Sequence, residues 1–262
     1  MRNFRAGASL VVLSVIALLI LRYVPGSLLS NIAYANATAG YISLGIFFYI
    51  LARFLRLPTL HYFKLPVINW KSVTALLFAG VFVYLELNRD DIIGKTGYEA
   101  FAGCLYLLSI GFGEEMVSRV FTFGVLKKYG TKIAFFGSSA LFGLMHLNLY
   151  VGKYWDPWSA YWHVAQTFAY GTFICALMIL TRSVGVVILF HALSDWSVVF
   201  VADSAPGKIP PDISISFWSG ITVPLDSVVI SLGLAMFLMW INRGIHLPRW
   251  MHRLFHKWKL VQ

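Results

Sequence analysis

Charge is what this sequence has least of. Only 12% of its 262 residues are charged, against roughly a quarter in a soluble domain. Hydrophobic residues make up 59%, and mean hydropathy is +0.74. A soluble core of this length does not need so much apolar surface. A chain surrounded by lipid does, because its outside must be apolar too. Cysteine is also scarce. Cys104 and Cys175 stand in apolar runs with no CxxC spacing, so no disulfide framework is expected and both read as small buried hydrophobes. There is no HExxH, which removes the common zinc-protease helix. No Ser/His or Cys/His set resembles a covalent nucleophile. No repeat, low-complexity tract or soluble second domain interrupts the chain.

Eight apolar segments are present, at roughly 6–24, 37–55, 70–88, 98–126, 132–151, 159–181, 184–202 and 219–242. A membrane span needs about 20 residues, so most qualify directly. The fourth is long enough to tilt, and the seventh follows a very short connection around Arg182. The first has a basic start (Arg2, Arg5), but its apolar run is too long for a signal peptide and reads as a helix. If the N-terminus is cytoplasmic, fifteen Lys and Arg fall on the cytoplasmic side and five on the other. Arg119 alone lies within a span, and none of the eleven acids is in a cytoplasmic segment. The net charge of +10 is therefore a topology signal rather than a nucleic-acid signal. The expected fold is all-α: a polytopic transmembrane helical bundle of about eight spans with both termini cytoplasmic, forming one integral-membrane domain over 1–262. The tail, 244–262, mixes basic residues with Trp250, Leu254, Phe255 and Trp258, which suits an amphipathic segment on the inner leaflet.

Against this background the stretch GFGEEMVSRVF, residues 111–121, stands out. One ionised carboxylate at mid-bilayer costs about 3 kcal/mol on insertion scales. An ion pair accounts for one Glu and one Arg, but not for a second Glu. Glu115 and Arg119 are four apart and share a helix face, so they pair. Glu114 lies about 100° around the helix. Helix spacing gives it no local partner, and it is expected to face the bundle interior, where a carboxyl can carry protons. FGLMH places Phe142 and His146 at i and i+4, and HALSD does the same for His191 and Asp195. Glu114, His146 and Asp195 lie 13, 14 and 13 residues from their basic cytoplasmic ends, which is about 20 Å at 1.5 Å per residue. The three are expected at one depth, with His191 one turn shallower. Glu86 reads as interfacial. Gln166 reads as a cross-helix hydrogen-bonding group or a rim residue, and His163 as structural.

A site with one such Glu, two His and an Asp has three uses. It can activate water for hydrolysis. It can bind zinc, with His146, His191 and Asp195 as candidate ligands. It can also relay protons in a transporter. A silent scaffold that keeps the charges for stability is the remaining possibility.

EExxxR at 114–119, FxxxH at 142–146 and HxxxD at 191–195, in that order on consecutive membrane helices, resemble the CPBP family (CAAX proteases and bacteriocin-processing enzymes, also called ABI proteins). These are intramembrane peptidases of the type 2 CAAX prenyl endopeptidase kind. The resemblance covers about 98–200, the catalytic core it implies. It implies Glu114 as the general base on water, His146 as the assisting group, and Glu115 and Arg119 as supports. His191 and Asp195 would stabilise the tetrahedral intermediate. Many members have Asn at the last position, and an ionised Asp195 can only accept hydrogen bonds. Asp195 is thus expected to be protonated, to orient His191 or to bind a metal. No cofactor is required on this reading, with zinc as the alternative. The implied substrate is a membrane-associated polypeptide of CAAX, maturation or C-terminal anchor-sorting type. The implied location is a multi-pass integral membrane protein, most naturally of a bacterial inner membrane. A proton-coupled transporter using the same cluster is the alternative function.

Overall fold

The computed structural model describes residues 34–88, 94–95, 97–147, 157–200 and 217–243. The expected first segment, the 244–262 tail and the Pro-rich stretch 205–214 lie outside these residues. Among the described residues every regular element is helical. The helices are α1 (Ala35–Phe54), α2 (Trp70–Leu87), α3 (Gly97–Glu115), α4 (Phe123–Leu126), α5 (Thr131–Met145), α6 (Pro157–Thr181), α7 (Val184–Ser194), α8 (Ser197–Phe200) and α9 (Phe217–Asn242). A π-helical segment, Met116–Thr122, joins α3 to α4 without a break.

Four helical runs are long and apolar enough to cross a membrane: Ala35–Phe54, Trp70–Leu87, Gly97–Tyr129 and Ala160–Thr181. The apolar windows of the first two are only 22% and 17% buried, against 61% for the other two. The outer faces of α1 and α2 expose Ile46, Ile50, Phe54, Leu77, Tyr84 and Leu85, a surface that suits lipid and not water. The 33-residue run Gly97–Tyr129 is about 50 Å long, well beyond the roughly 30 Å of hydrocarbon.

Within the described residues the expected segments fall on helices. The seventh, an apolar helical run over Val184–Phe200, is interrupted by a turn at Asp195 and Trp196 that divides it into α7 and α8. Local chemistry explains the break. Ser194 Oγ donates to the His191 carbonyl at 2.9 Å, competing with the helix ladder. The backbone then tightens, with Val198 N donating to Asp195 O at 2.9 Å. Glu86 Oε1 accepts the Ser197 N–H at 3.2 Å and so receives the opening turn of α8. Glu86, expected only to lie at the interface, is thus a structural acceptor.

The chain divides into two compact units. The first takes its described residues from Met1–His61, Phe82–Ala134 and Val187–Pro211. Its core includes Leu107, Ile110, Ala192, Val199 and Phe200, with Tyr34, Tyr41, Tyr106 and Trp196 packed around it. Close backbone approach defines this unit. A Cβ on Gly111 would lie 2.6 Å from Ile188 O of α7, and one on Gly113 would lie 2.7 Å from Tyr41 O of α1. Small residues allow such contacts between helices in lipid, where no hydrophobic drive brings helices together. Thr59 Oγ1 donates to Val120 O at 2.5 Å, giving a carbonyl of the π segment an extra partner.

The second unit takes its described residues from Tyr62–Val81, Phe135–Val186 and Asp212–Gln262. In it α6 packs along α9. Asn69 caps α2: its Oδ1 accepts the N–H groups of Lys71 and Ser72, both at 3.0 Å. The turn between α6 and α7 is as short as expected. It is made by Arg182 in a left-handed conformation (φ 53°) and Ser183, and Ser183 Oγ donates to Lys64 O at 2.8 Å. Gln166 Nε2 donates to Ser227 Oγ at 3.0 Å, the cross-helix role expected of it.

The contact at Gly111 generates a prediction. Gly111→Ala places its methyl against a backbone carbonyl that no rotamer can move, and is expected to lower stability by about 1–3 kcal/mol. Gly80 has nothing within 4 Å of the equivalent position, so Gly80→Ala is expected to be neutral or slightly stabilising. Thermal unfolding in detergent compares the two.

Candidate active site

Three carboxylates, an arginine and a histidine of the first unit come together around the junction of α3 with the π segment. Glu114 and Glu115 are the last residues of α3, and Arg119 sits in the π turn that follows. The Phe123 N–H donates to Ser118 O, five residues back, which marks the widened turn. Such insertions recur at functional sites.

Glu115 and Arg119 pair as their spacing predicts: Arg119 Nε lies 3.2 Å from Glu115 Oε2, and both side chains are fully buried. The second oxygen is engaged as well. Glu115 Oε1 lies 2.8 Å from His191 Nδ1. A carboxylate only accepts, so Nδ1 carries the hydrogen. One buried carboxylate therefore holds a guanidinium with one oxygen and an imidazole with the other. Spacing along the chain carries no trace of the second contact, which joins residues 76 positions apart.

That hydrogen bond fixes the ring so that Nε2 points to the other two acids. Asp195 Oδ2 lies 3.4 Å from His191 Nε2, and Glu114 Oε2 lies 3.8 Å from it. Side-chain exposure rises from 0% at Glu115 through 12% at Glu114 to 26% at Asp195, so the site opens on the Glu114 and Asp195 side. Gly111 makes the arrangement possible, because His191 Cβ would lie 3.5 Å from any Cβ placed there.

Glu114 has a partner that helix spacing alone does not reveal. The Tyr41 side chain of α1 lies near enough to interact with it electrostatically. Tyr41 in turn packs its ring 6.2 Å from that of Tyr106, and Tyr106 stacks on Tyr34 at 5.0 Å. The first apolar segments carry no motif, and the signal that could have found Tyr41 is steric. Tyr41 and Gly45 are one turn apart on α1 and face the Phe112–Gly113 stretch of α3.

His146 belongs to the second unit. Its Nδ1 lies 2.8 Å from Phe142 O, and a carbonyl accepts, so Nδ1 is the donor and Nε2 keeps its lone pair. The His163 ring lies 5.2 Å from the His146 ring. Phe142 and His146 thus interact within their motif, both through this bond and through a ring contact at 4.9 Å. Among the described residues no group of three or more His, Cys, Asp and Glu side chains is placed to hold a metal ion. His191 has one nitrogen committed to Glu115. Cys104 and Cys175 form no disulfide.

No curated protein matches the chain. A family model does: that of the type II CAAX prenyl endopeptidase Rce1-like proteins, over residues 96–197. The four apolar runs, together with a match to membrane proteases, mark an integral membrane protein. The matched segment contains EExxxR, FxxxH and HxxxD, the three motifs that carry the chain's similarity to type II CAAX prenyl endopeptidases.

Proposed function

We propose that the protein is an intramembrane endopeptidase that hydrolyses a peptide bond near the C-terminus of a membrane-tethered polypeptide, using water activated by Glu114. The observation that carries this reading is the division of labour between adjacent acids. Glu115 is fully buried and engaged through both oxygens, whereas Glu114 borders the open side with His191 Nε2 3.8 Å away. The match to a protease family over the same residues supports it. A proton-coupled transporter has no comparable support.

In the proposed reaction Glu114 takes a proton from water as the oxygen attacks the scissile carbonyl carbon. The carbonyl oxygen becomes an oxyanion, which His191 stabilises by donating from Nε2. Asp195 accepts from that nitrogen in the resting site and so orients the ring. On collapse the C–N bond breaks, and the proton held by Glu114 passes to the leaving nitrogen, with His146 as the assisting carrier that the FxxxH motif implies. The products are a new carboxylate and a new amine. No step runs through a metal. The proposed setting is a bundle of about eight spans with cytoplasmic termini, in a bacterial inner membrane, and the proposed substrates are CAAX, maturation or anchor-sorting polypeptides.

Three measurements test this. In proteoliposomes carrying a farnesylated CAAX reporter peptide and a non-prenylated membrane-anchored one, Glu114→Gln is expected to lower cleavage by at least ~10²-fold with an unchanged melting temperature. Normal cleavage by that variant would end the proposal. Arg119→Ala removes one of the two partners of the buried Glu115 and is expected to cost about 3–5 kcal/mol of stability, so it should lose activity by losing the fold, read as a fall in melting temperature. The third is treatment with 1,10-phenanthroline, which is expected to leave the rate unchanged; inactivation restored by zinc would replace the glutamate mechanism with a metal-dependent one.

A further inference from the structure

We infer that the loop at 63–65 and the turn at Arg182, both in the second unit, form a binding site for the phosphate headgroup of an anionic glycerophospholipid. The inference is independent of the protease reading.

The backbone at Arg182 is unusual. Helix α6 carries a run long and apolar enough to cross a membrane, and it ends at Thr181. Arg182 closes it with φ 53°, and its N–H donates to Met178 O at 2.8 Å. Helices ordinarily make this left-handed closure with glycine, because a Cβ is disfavoured there. Arginine therefore holds the position at a conformational cost that glycine would avoid. Its side chain is exposed, while Thr181 and Ser183 on either side are buried. A cation also complements the dipole at a helix C-terminus, but a basic residue inside the last turn would do that without strain, and α6 has none there. The charge is instead presented just beyond the end of the span, at the level of the membrane surface.

The turn is also tied to a second basic residue. Ser183 Oγ donates to Lys64 O at 2.8 Å, and Val67 N donates to Thr181 O at 2.9 Å. These two bonds hold 64–67 against the turn, so Lys64 and Arg182, distant in sequence, are brought together at the backbone. Lys64 is exposed as well. Beside it Leu65 is 88% exposed, and Phe63 and Ile68 are exposed too. At the end of a membrane-length helix such side chains enter the acyl boundary while the cations meet headgroups.

Charge complementarity selects the occupant. No Asp or Glu precedes Glu86 in the sequence, and none occurs from 157 to 194. Among the described residues no ion pair engages Lys64 or Arg182. Two cations without a neighbouring acid, next to apolar side chains, suit a phosphodiester that carries acyl chains. A zwitterionic headgroup would bring its own cation to the same place, so an anionic one is favoured.

The test compares melting temperatures of the full chain in nanodiscs of phosphatidylcholine, with and without phosphatidylglycerol, at equal salt. In the neutral discs Arg182→Gly is expected to melt about 2 °C or more above the wild type, because strain is relieved. The rise on adding phosphatidylglycerol is expected to fall by about half or more in the double variant Lys64→Gln, Arg182→Gly. It is expected to persist in Lys128→Gln, which removes an exposed lysine between α4 and α5. Native mass spectrometry is expected to show fewer retained phosphatidylglycerol molecules on the double variant alone. No rise in the wild type, an undiminished rise in the double variant, or an equal loss in Lys128→Gln would overturn the site. A rise reproduced in neutral discs by inorganic phosphate would overturn the lipid as its occupant. If Arg182→Gly melted lower in both lipids with the rise intact, Arg182 would serve the helix dipole and not a ligand.

Discussion

The site depends on one buried carboxylate using both of its oxygens. Glu115 holds Arg119 at 3.2 Å and His191 at 2.8 Å, with no exposure of its own. Each of the three would be costly alone in a low-dielectric interior. Together they form a chain in which every charge faces a partner, and the chain ends on the His191 ring with its Nδ1 hydrogen fixed. That fixes where Nε2 points. The placing of Glu114 and Asp195 around the ring has meaning only because the ring cannot turn.

Such a chain survives in lipid only if protein surrounds it. The glycines make this possible by being small. Gly111 lets the backbone of α7 lie against α3 within reach of His191, and Gly113 brings α1 to the opposite side. Both contacts fall within four residues of Glu115, so the same local sequence that places the charges also admits the helices that cover them. Further along α3, the π turn puts Arg119 in a widened helix whose Val120 carbonyl takes a hydroxyl donor from Thr59. Exposure then increases outward from Glu115 to Asp195, which separates a closed end of the cluster from a more open one.

Much of this is legible in the amino-acid sequence. The i, i+4 spacing of Glu115 and Arg119 predicts their ion pair, which is present. Counting from the basic ends puts Glu114, His146 and Asp195 at one depth; of these, Glu114 and Asp195 lie around the same His191 nitrogen. What is not legible depends on tertiary contact. The bond from His191 to Glu115 joins distant parts of the chain, and Tyr41 is an ordinary aromatic in an apolar run. Glu86 reads as interfacial because its neighbours Asp90 and Asp91 are polar; its acceptor role exists only once α8 begins beside it. The break between α7 and α8 falls in the short polar dip of residues 194–197, which the apolar runs on either side average out. It is set by a serine hydroxyl and a tightened turn, neither of which changes the apolar average.

The aspartate at the end of HxxxD bears on the proposed chemistry in a way that asparagine would not. An asparagine amide could donate to an oxyanion directly. Asp195 instead puts a second carboxylate on the imidazole, so His191 has an acid at each nitrogen: Glu115 at Nδ1 and Asp195 at Nε2. On the proposed mechanism this concentrates oxyanion donation on one N–H and makes Asp195 the group that the oxyanion displaces from it. The 3.4 Å separation is longer than a strong charge-assisted hydrogen bond, which on that mechanism favours the exchange. On the same reading, the acid in place of an amide shifts transition-state stabilisation onto the ring that Glu115 holds in place.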